Sequence, residues 1–216
     1  MPRYRLAVFD MDGTILDTLS DLKNAVNHIL RGAGYPEHSL SEIRSFVGNG
    51  SRVLFERALP EGTDAKTVDR LLGDYLPYYR AHCAELTKPY DGIVELLQKI
   101  RAEGIMTAVV SNKPEPSVGE LCRKYFDGLF DIWAGDVPYR KTKPDPAIVE
   151  YVLNKLNVRR EDTIYIGDSD VDILTAAASK TDMVAVSWGF KDRDFLIKKG
   201  AVVCDTAAQL MEHILA

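Results

Sequence analysis

Short apolar runs punctuate the chain at 5–10 (RLAVFD), 106–112 (MTAVVSN), 131–135 (DIWAG), 163–168 (TIYIGD), 183–188 (MVAVSW) and 201–205 (AVVCD). They are rich in Val and Ile and lack the strict apolar–polar alternation of a strand with one wet face. Each is therefore expected to be a strand covered on both sides, as in a parallel sheet. Between most of them apolar residues recur at helical spacing. Ile93, Leu96, Leu97 and Ile100 form one stripe over 92–104, which stops at Gly104, a residue suited to the left-handed turn past a helix end. Residues 145–157 repeat the scheme with Ile148, Val149, Val152, Leu153 and Leu156. Strands alternating with helices predict an α/β fold, a Rossmann-like doubly wound parallel sheet with right-handed crossovers.

One interval breaks the rhythm. Some 95 residues separate the first run from the one at 106, and they read as helices at about 19–32, 40–59 and 64–83. Leu22, Val26, Ile29 and Leu30 stripe the first of these, and Ser39 with Glu42 stand at capping-box spacing before the second. "VGNG" (Val47 to Gly50) interrupts that second helix with a turn-prone loop. Pro77 lies inside the third and predicts a kink or break there. A single crossover needs far fewer residues, so the interval is expected to be an inserted helical domain over 17–85, with the α/β core formed by 1–16 and 86–216. The chain would pass between the two near 16–19 and 85–91.

Composition adds mainly exclusions. The chain has 216 residues, 46% of them apolar and 27% charged, with a net charge of −5. That balance carries no electrostatic footprint for nucleic acid or for an anionic membrane. No stretch approaches the roughly 18 apolar residues of a membrane span. Cys83, Cys122 and Cys204 are odd in number and widely spaced, which predicts free thiols and a reducing, cytoplasmic setting.

The polar residues at the strand ends carry the chemistry. Ligands of an open parallel sheet bind beyond the carboxyl ends of its strands. The first run ends in "FDMDGTILDT", with Asp10 and Asp12 one residue apart, where a bound cation, a chemical task or chance could account for the pair. The second ends with Ser111 and Asn112, the fourth with Asp168, Asp170 and Asp172, and Lys141 and Lys143 follow the third. Convergence of these groups would make a hard-cation site beside a phosphate-sized hole, with carboxylates for Mg²⁺ and a hydroxyl and an ammonium for phosphoryl oxygens. No calcium-loop spacing, dinucleotide or nucleotide glycine motif, or serine-hydrolase elbow is present.

With these motifs in view, the chain resembles the haloacid dehalogenase-like phosphatases. "DMDGTILD" matches their first motif, Ser111 the second, Lys143-Pro144 the third and "GDSDVD" the fourth, in family order along nearly the whole chain. The insertion after the first motif resembles the helical cap of one large subgroup. "FVGNG", "KPYDGIVELL", "SNKP" and "KPDP" resemble members that act on 2-phosphoglycolate. The resemblance implies a Mg²⁺-dependent phosphomonoesterase acting on a small phosphorylated metabolite, 2-phosphoglycolate first, as a monomer or homodimer.

It also implies roles for individual residues. Asp10 would be the nucleophile, Asp12 the general acid and base, and Lys143, rather than its rival Lys141, the charge-neutralising lysine. Asp10, Asp12, Asp168 and Asp172 would form the metal site, Asp172 holding the metal's water or orienting Lys143. Ser111, Asn112, Gly13, Thr14, Lys113, Asn49 and Gly50 would meet substrate, with Arg52 a further candidate for a substrate carboxylate. Two departures from the family pattern stand out: "ASKTDM" replaces a small residue and Gly after the fourth-motif helix, and "SWGF" replaces a Gly-aromatic loop. Rival readings on the same scaffold are a phosphosugar mutase and a pyrophosphatase. A metal-binding phospho-acceptor regulatory module would not be an enzyme at all.

Overall fold

The structure is a computed structural model and describes residues 3–216. In chain order it begins with β1 (Leu6–Phe9), β2 (Leu16–Asp17), α1 (Leu19–Gly32), α2 (Leu40–Phe46), α3 (Ser51–Ala58), α4 (Ala65–His82) and β3 (Lys88–Pro89). There follow α5 (Ile93–Ala102), β4 (Met106–Pro114), α6 (Glu115–Tyr125), β5 (Ile132–Asp136) and α7 (Ala147–Leu156). The chain closes with β6 (Thr163–Gly167), α8 (Asp170–Ser179), β7 (Asp182–Val186), α9 (Arg193–Lys198), β8 (Val203–Cys204) and α10 (Ala207–Leu215).

Six strands pair in the order β5-β4-β1-β6-β7-β8, every neighbour parallel. This is the order of a doubly wound sheet, and its direction of travel reverses between β1 and β6, where such sheets open a crevice at the strand carboxyl ends. The absence of polar alternation now has its reason. Leu6 and Val8 pack on one face with Val149 and Val152 of α7 and Ala176 of α8. Ala7 and Phe9 pack on the other face with Leu96 and Leu97 of α5, Leu121 of α6 and Leu210 of α10. With no wet face, both registers of each strand are apolar, and each buried Val, Leu or Ile contributes about 1.5–3 kcal/mol.

Between β1 and β4 the chain builds the expected helical insertion, α1 to α4. Leu22, Ala25, Val26 and Leu30 bury one stripe of α1, and the Ser39–Glu42 capping box starts α2 as its spacing predicts. The 40–59 run is two helices, broken at Val47–Gly50, where Gly48 and Gly50 take positive φ. The insertion shares one continuous apolar cluster with the adjoining sheet face through Met11, Ile15, Leu16 and Leu19.

Four features depart from the expectations. Helix α4 runs unbroken through Pro77. The residue four positions earlier is Gly73, and both it and Pro77 are exposed, so the carbonyl that Pro77 leaves unbonded faces water rather than a dry core. The two linkers of the insertion pair as an antiparallel ribbon, Leu16 with Pro89 and Asp17 with Lys88. Strand β4 continues to Pro114, so Ser111, Asn112 and Lys113 lie on extended backbone rather than in a turn. The last apolar run supplies only the two residues of β8. The ribbon lies where the linkers were expected, and we propose 17–85 as the limits of the cap on that ground.

Candidate active site

Strand β1 sets Asp10 beyond its last residue, with the Asp10 amide bonded to Ile166 O of β6 at 2.8 Å. The neighbouring strand ends at Gly167, so Asp168 emerges beside Asp10 at the sheet's point of reversal. Between them Gly13 takes φ +85°, and a Cβ there would lie 2.4 Å from Asp168 Oδ2. Only a residue without a side chain lets the first loop turn this tightly against that carboxylate. Asp168 is pinned on both oxygens: Thr14 Oγ1 donates to Oδ1 at 3.1 Å, and the Phe190 amide donates to Oδ2 at 2.6 Å. Gly189, inside the departing "SWGF" segment, allows the close approach of its loop to Asp168 and Gly13.

Lys143 reaches the same point from the segment after β5. Its Nζ lies 2.8 Å from Asp10 Oδ1 and 2.8 Å from Asp172 Oδ1, with a side chain 2% exposed. Burial alone would lower its pKa, but the two carboxylates outweigh that and hold it above the ordinary lysine value. Lys141 lies outside the cluster, its side chain largely exposed and paired with Asp145 at 3.2 Å. Asp172 is fully engaged. Its Oδ1 accepts from Lys143 and from Tyr165 OH at 2.9 Å, and its Oδ2 accepts from Ser169 Oγ at 2.6 Å and the Ser169 amide at 3.1 Å. A carboxylate offers about four acceptor positions, so Asp172 in this arrangement has none left for a cation and serves to orient Lys143. Asp170 stands in the first turn of α8, capped by Ser169, outside the carboxylate cluster.

Oxygens of Asp10, Asp168 and Asp172 all lie within 4.8 Å of one another. Lys143 is the one buried ammonium that touches them among the described residues, so three carboxylates face a single positive charge. The electrostatics record the imbalance: burial, then repulsion from Asp172, pushes Asp168 up to about 7, and the same two causes hold Asp10 well above the usual carboxylate range. A bound divalent cation is the natural counter-charge for such a set. The Asp12 side chain stands apart from this cluster, leaving its main-chain carbonyl as the ligand it could offer.

The remaining candidates divide. Ser111 is buried, and its Oγ accepts the Lys113 amide at 3.1 Å, which leaves the hydroxyl proton to donate. The Asn112 side chain is not available to a phosphoryl group. Its Nδ2 donates to Lys143 O at 3.0 Å and to Gly48 O at 3.1 Å, and its Oδ1 accepts the Lys143 amide at 2.7 Å. It ties the Lys143 backbone and the cap loop together instead. A cleft opens over Asp10, Asp12, Ser111 and Lys143, roofed by Gly50 and Leu54 of the cap. Asn49 does not line it, because its Oδ1 accepts from Arg57 at 3.0 Å. Arg52 is also turned away, half-exposed and paired with Asp69 and Glu56.

Three participants escaped the sequence. Tyr79 and Tyr75 of α4 line the cleft, yet along the helix they read only as core aromatics. Arg44 of α2 donates to Phe190 O at 2.7 Å and Gly189 O at 3.1 Å, joining the cap to the loop that holds Asp168. It occupies an unremarkable surface position in the sequence, so no pattern could have singled it out.

Comparison with known proteins bears on this geometry. A family model described as haloacid dehalogenase-like hydrolase matches residues 7–186. A phosphoglycolate phosphatase of Pseudomonas putida is 36% identical over 193 residues, which cover 86% of this chain and 70% of the relative. One from Colwellia psychrerythraea is 33% identical over 94% of both chains. A crystal structure from Lactobacillus delbrueckii subsp. bulgaricus, provisionally named a phosphoglycolate phosphatase, matches the whole of both chains with a TM-score of 0.95 and 38% identity.

Proposed function

Because the chain belongs to the haloacid dehalogenase-like hydrolase family, we propose that it is a Mg²⁺-dependent phosphomonoesterase that hydrolyses 2-phosphoglycolate to glycolate and phosphate. The observation that carries this reading is the meeting of Asp10, Ser111, Lys143 and Asp168, remote in sequence, around one cleft under a helical cap. The names borne by the relatives support the choice of substrate.

Asp10 attacks phosphorus, forming a carboxyl O–P bond while the bond from phosphorus to the glycolate oxygen breaks. Its Oδ1 is held by the Met11 amide at 2.7 Å and by Lys143, which fixes the carboxylate for in-line approach. Asp12 gives its proton to the departing alkoxide. It then takes a proton from water as that water attacks phosphorus, and the Asp10–phosphorus bond breaks to release phosphate. Lys143 and the Ser111 hydroxyl hold the phosphoryl oxygens while charge builds on them. The carboxylates of Asp10 and Asp168, with the Asp12 carbonyl, would hold Mg²⁺, which neutralises charge between the anionic nucleophile and the dianionic ester. Leu54, Tyr75 and Tyr79 give the cleft an apolar wall that limits water around the reacting groups.

A panel of phosphate esters assayed with Mg²⁺ tests the assignment, with 2-phosphoglycolate, pyrophosphate, sugar phosphates and nucleotides included. The highest kcat/KM is expected for 2-phosphoglycolate. Hydrolysis of none of them would refute the enzyme, and a strong preference for another member would refute the substrate.

A further inference from the structure

Resting on the phosphatase reading above, we propose that Lys113 is a positioning residue for Asp12, and that Tyr79 ties that lysine to the cap. The Lys113 side chain is only 2% exposed, and its Nζ lies 3.0 Å from Asp12 Oδ1. It also donates to Tyr79 OH at 2.5 Å. Thr18 Oγ1 donates to the same Asp12 oxygen at 2.6 Å. Oδ1 thus takes one hydrogen bond and one ion pair, whereas Oδ2 accepts no hydrogen bond among the described residues. A carboxylate held by one oxygen has its plane set and its other oxygen free for proton transfer into the cleft it lines.

The second half of the chain of contacts lies in the cap. Tyr79 is 1% exposed and stacks on Tyr75, ring centroids 5.3 Å apart. Tyr75 in turn meets Phe55 of α3 edge-on at 5.0 Å. The Tyr79 hydroxyl is therefore fixed to the aromatic core of the cap and follows the cap wherever it goes. Lys113 is fixed to β4, two residues beyond Ser111. Seating of the cap on the core brings the hydroxyl onto the ammonium, and the ammonium sets Asp12. Placement of the proton donor is thereby made conditional on closure.

This role differs observably from direct capture of substrate by Lys113. A residue that positions the proton donor matters most where the leaving group needs a proton. An alkoxide needs one; 4-nitrophenolate leaves without it. The test compares wild type, Lys113→Met and Tyr79→Phe, with Mg²⁺, on 2-phosphoglycolate, ethyl phosphate and 4-nitrophenyl phosphate. For Lys113→Met, kcat on both alkyl esters is expected to fall about 100-fold, and the fall on the aryl ester to be about tenfold smaller. Tyr79→Phe, which removes one oxygen and keeps the packing, is expected to show the same ordering with a fall of about fivefold on the alkyl esters. Its ratio of alkyl to aryl rates decides the matter if Lys113→Met does not fold. Equal losses on alkyl and aryl esters, or a loss confined to KM for the carboxylate-bearing ester, would overturn the proposal while leaving the phosphatase intact. Wild-type protein inactive on every ester would instead overturn the phosphatase reading, and this inference with it.

Discussion

At the scale of single residues, Gly13 and Asp168 show how little room the site leaves. Gly13 has φ +85°, and a methyl group there would overlap the Asp168 carboxylate. Alanine pays twice at this position, for a backbone region that side chains disfavour and for displacing a carboxylate that Thr14 and Phe190 hold in place. Gly13→Ala is expected to weaken Mg²⁺ binding and to lower kcat/KM about 100-fold or more, read by calorimetric Mg²⁺ titration alongside initial rates. Unchanged Mg²⁺ affinity would show that Asp168 does not hold the metal. Asp10, Asp12, Ser111 and Asp168 could be placed together from the sequence, because each stands at the end of an apolar run that a parallel sheet must aim at one edge, whereas Lys143 was singled out from Lys141 only by its family motif. Tyr79 was not legible, since an aromatic at helical spacing reads the same whether its hydroxyl meets solvent, core or a lysine. Asn49 and Arg52 misled for a related reason. Near a glycine loop they look free to meet a ligand, yet Arg57 and Asp69 claim them.

Among the elements, the junction between core and cap is the one built from parts too short to be recognised in sequence. Strands of two residues have no period to detect, and the β2–β3 ribbon exists only because its halves are brought together across the whole cap. Asp21, buried in the first turn of α1, completes it. Its carboxylate accepts the amides of Glu85 at 3.1 Å, Leu86 at 3.0 Å and Thr87 at 2.9 Å, and the Thr87 hydroxyl at 2.8 Å. Entry and exit of the cap are thus clasped by one side chain. Asp21→Ala would strand these donors, and unfolding in urea should show a loss of about 3 kcal/mol; a change below about 0.5 kcal/mol would mean the clasp holds nothing. Helix ends were the more legible parts. Gly104 takes the positive φ its place after the 92–104 stripe predicts, and Ser39 caps α2. After α8 the left-handed position is held by Lys180 at φ 58°. The substitution of "ASKTDM" for the usual small residue and Gly therefore changes which residue makes the turn and keeps the turn itself.

For the molecule as a whole, the strand order places the reversal between β1 and β6, and that topology brings the two acidic strand ends together. The alternation of strands and helices sufficed to predict such a sheet, and the long helical interval to predict the insertion. What the pattern could not supply is the seating of cap on core, which depends on contacts between distant side chains, Arg44 with the Gly189–Phe190 carbonyls and Asn112 with Gly48. At this scale the proposed chemistry is covalent catalysis by one carboxylate, Asp10, supported by the groups gathered around it. The decisive measurement is the initial rate of phosphate release by Asp10→Asn with Mg²⁺ and 2-phosphoglycolate, relative to wild type under the same conditions. A fall of at least about 1,000-fold in a folded variant is the expected result. A rate close to that of wild type would contradict it, because no other carboxylate could then be denied the nucleophile's role.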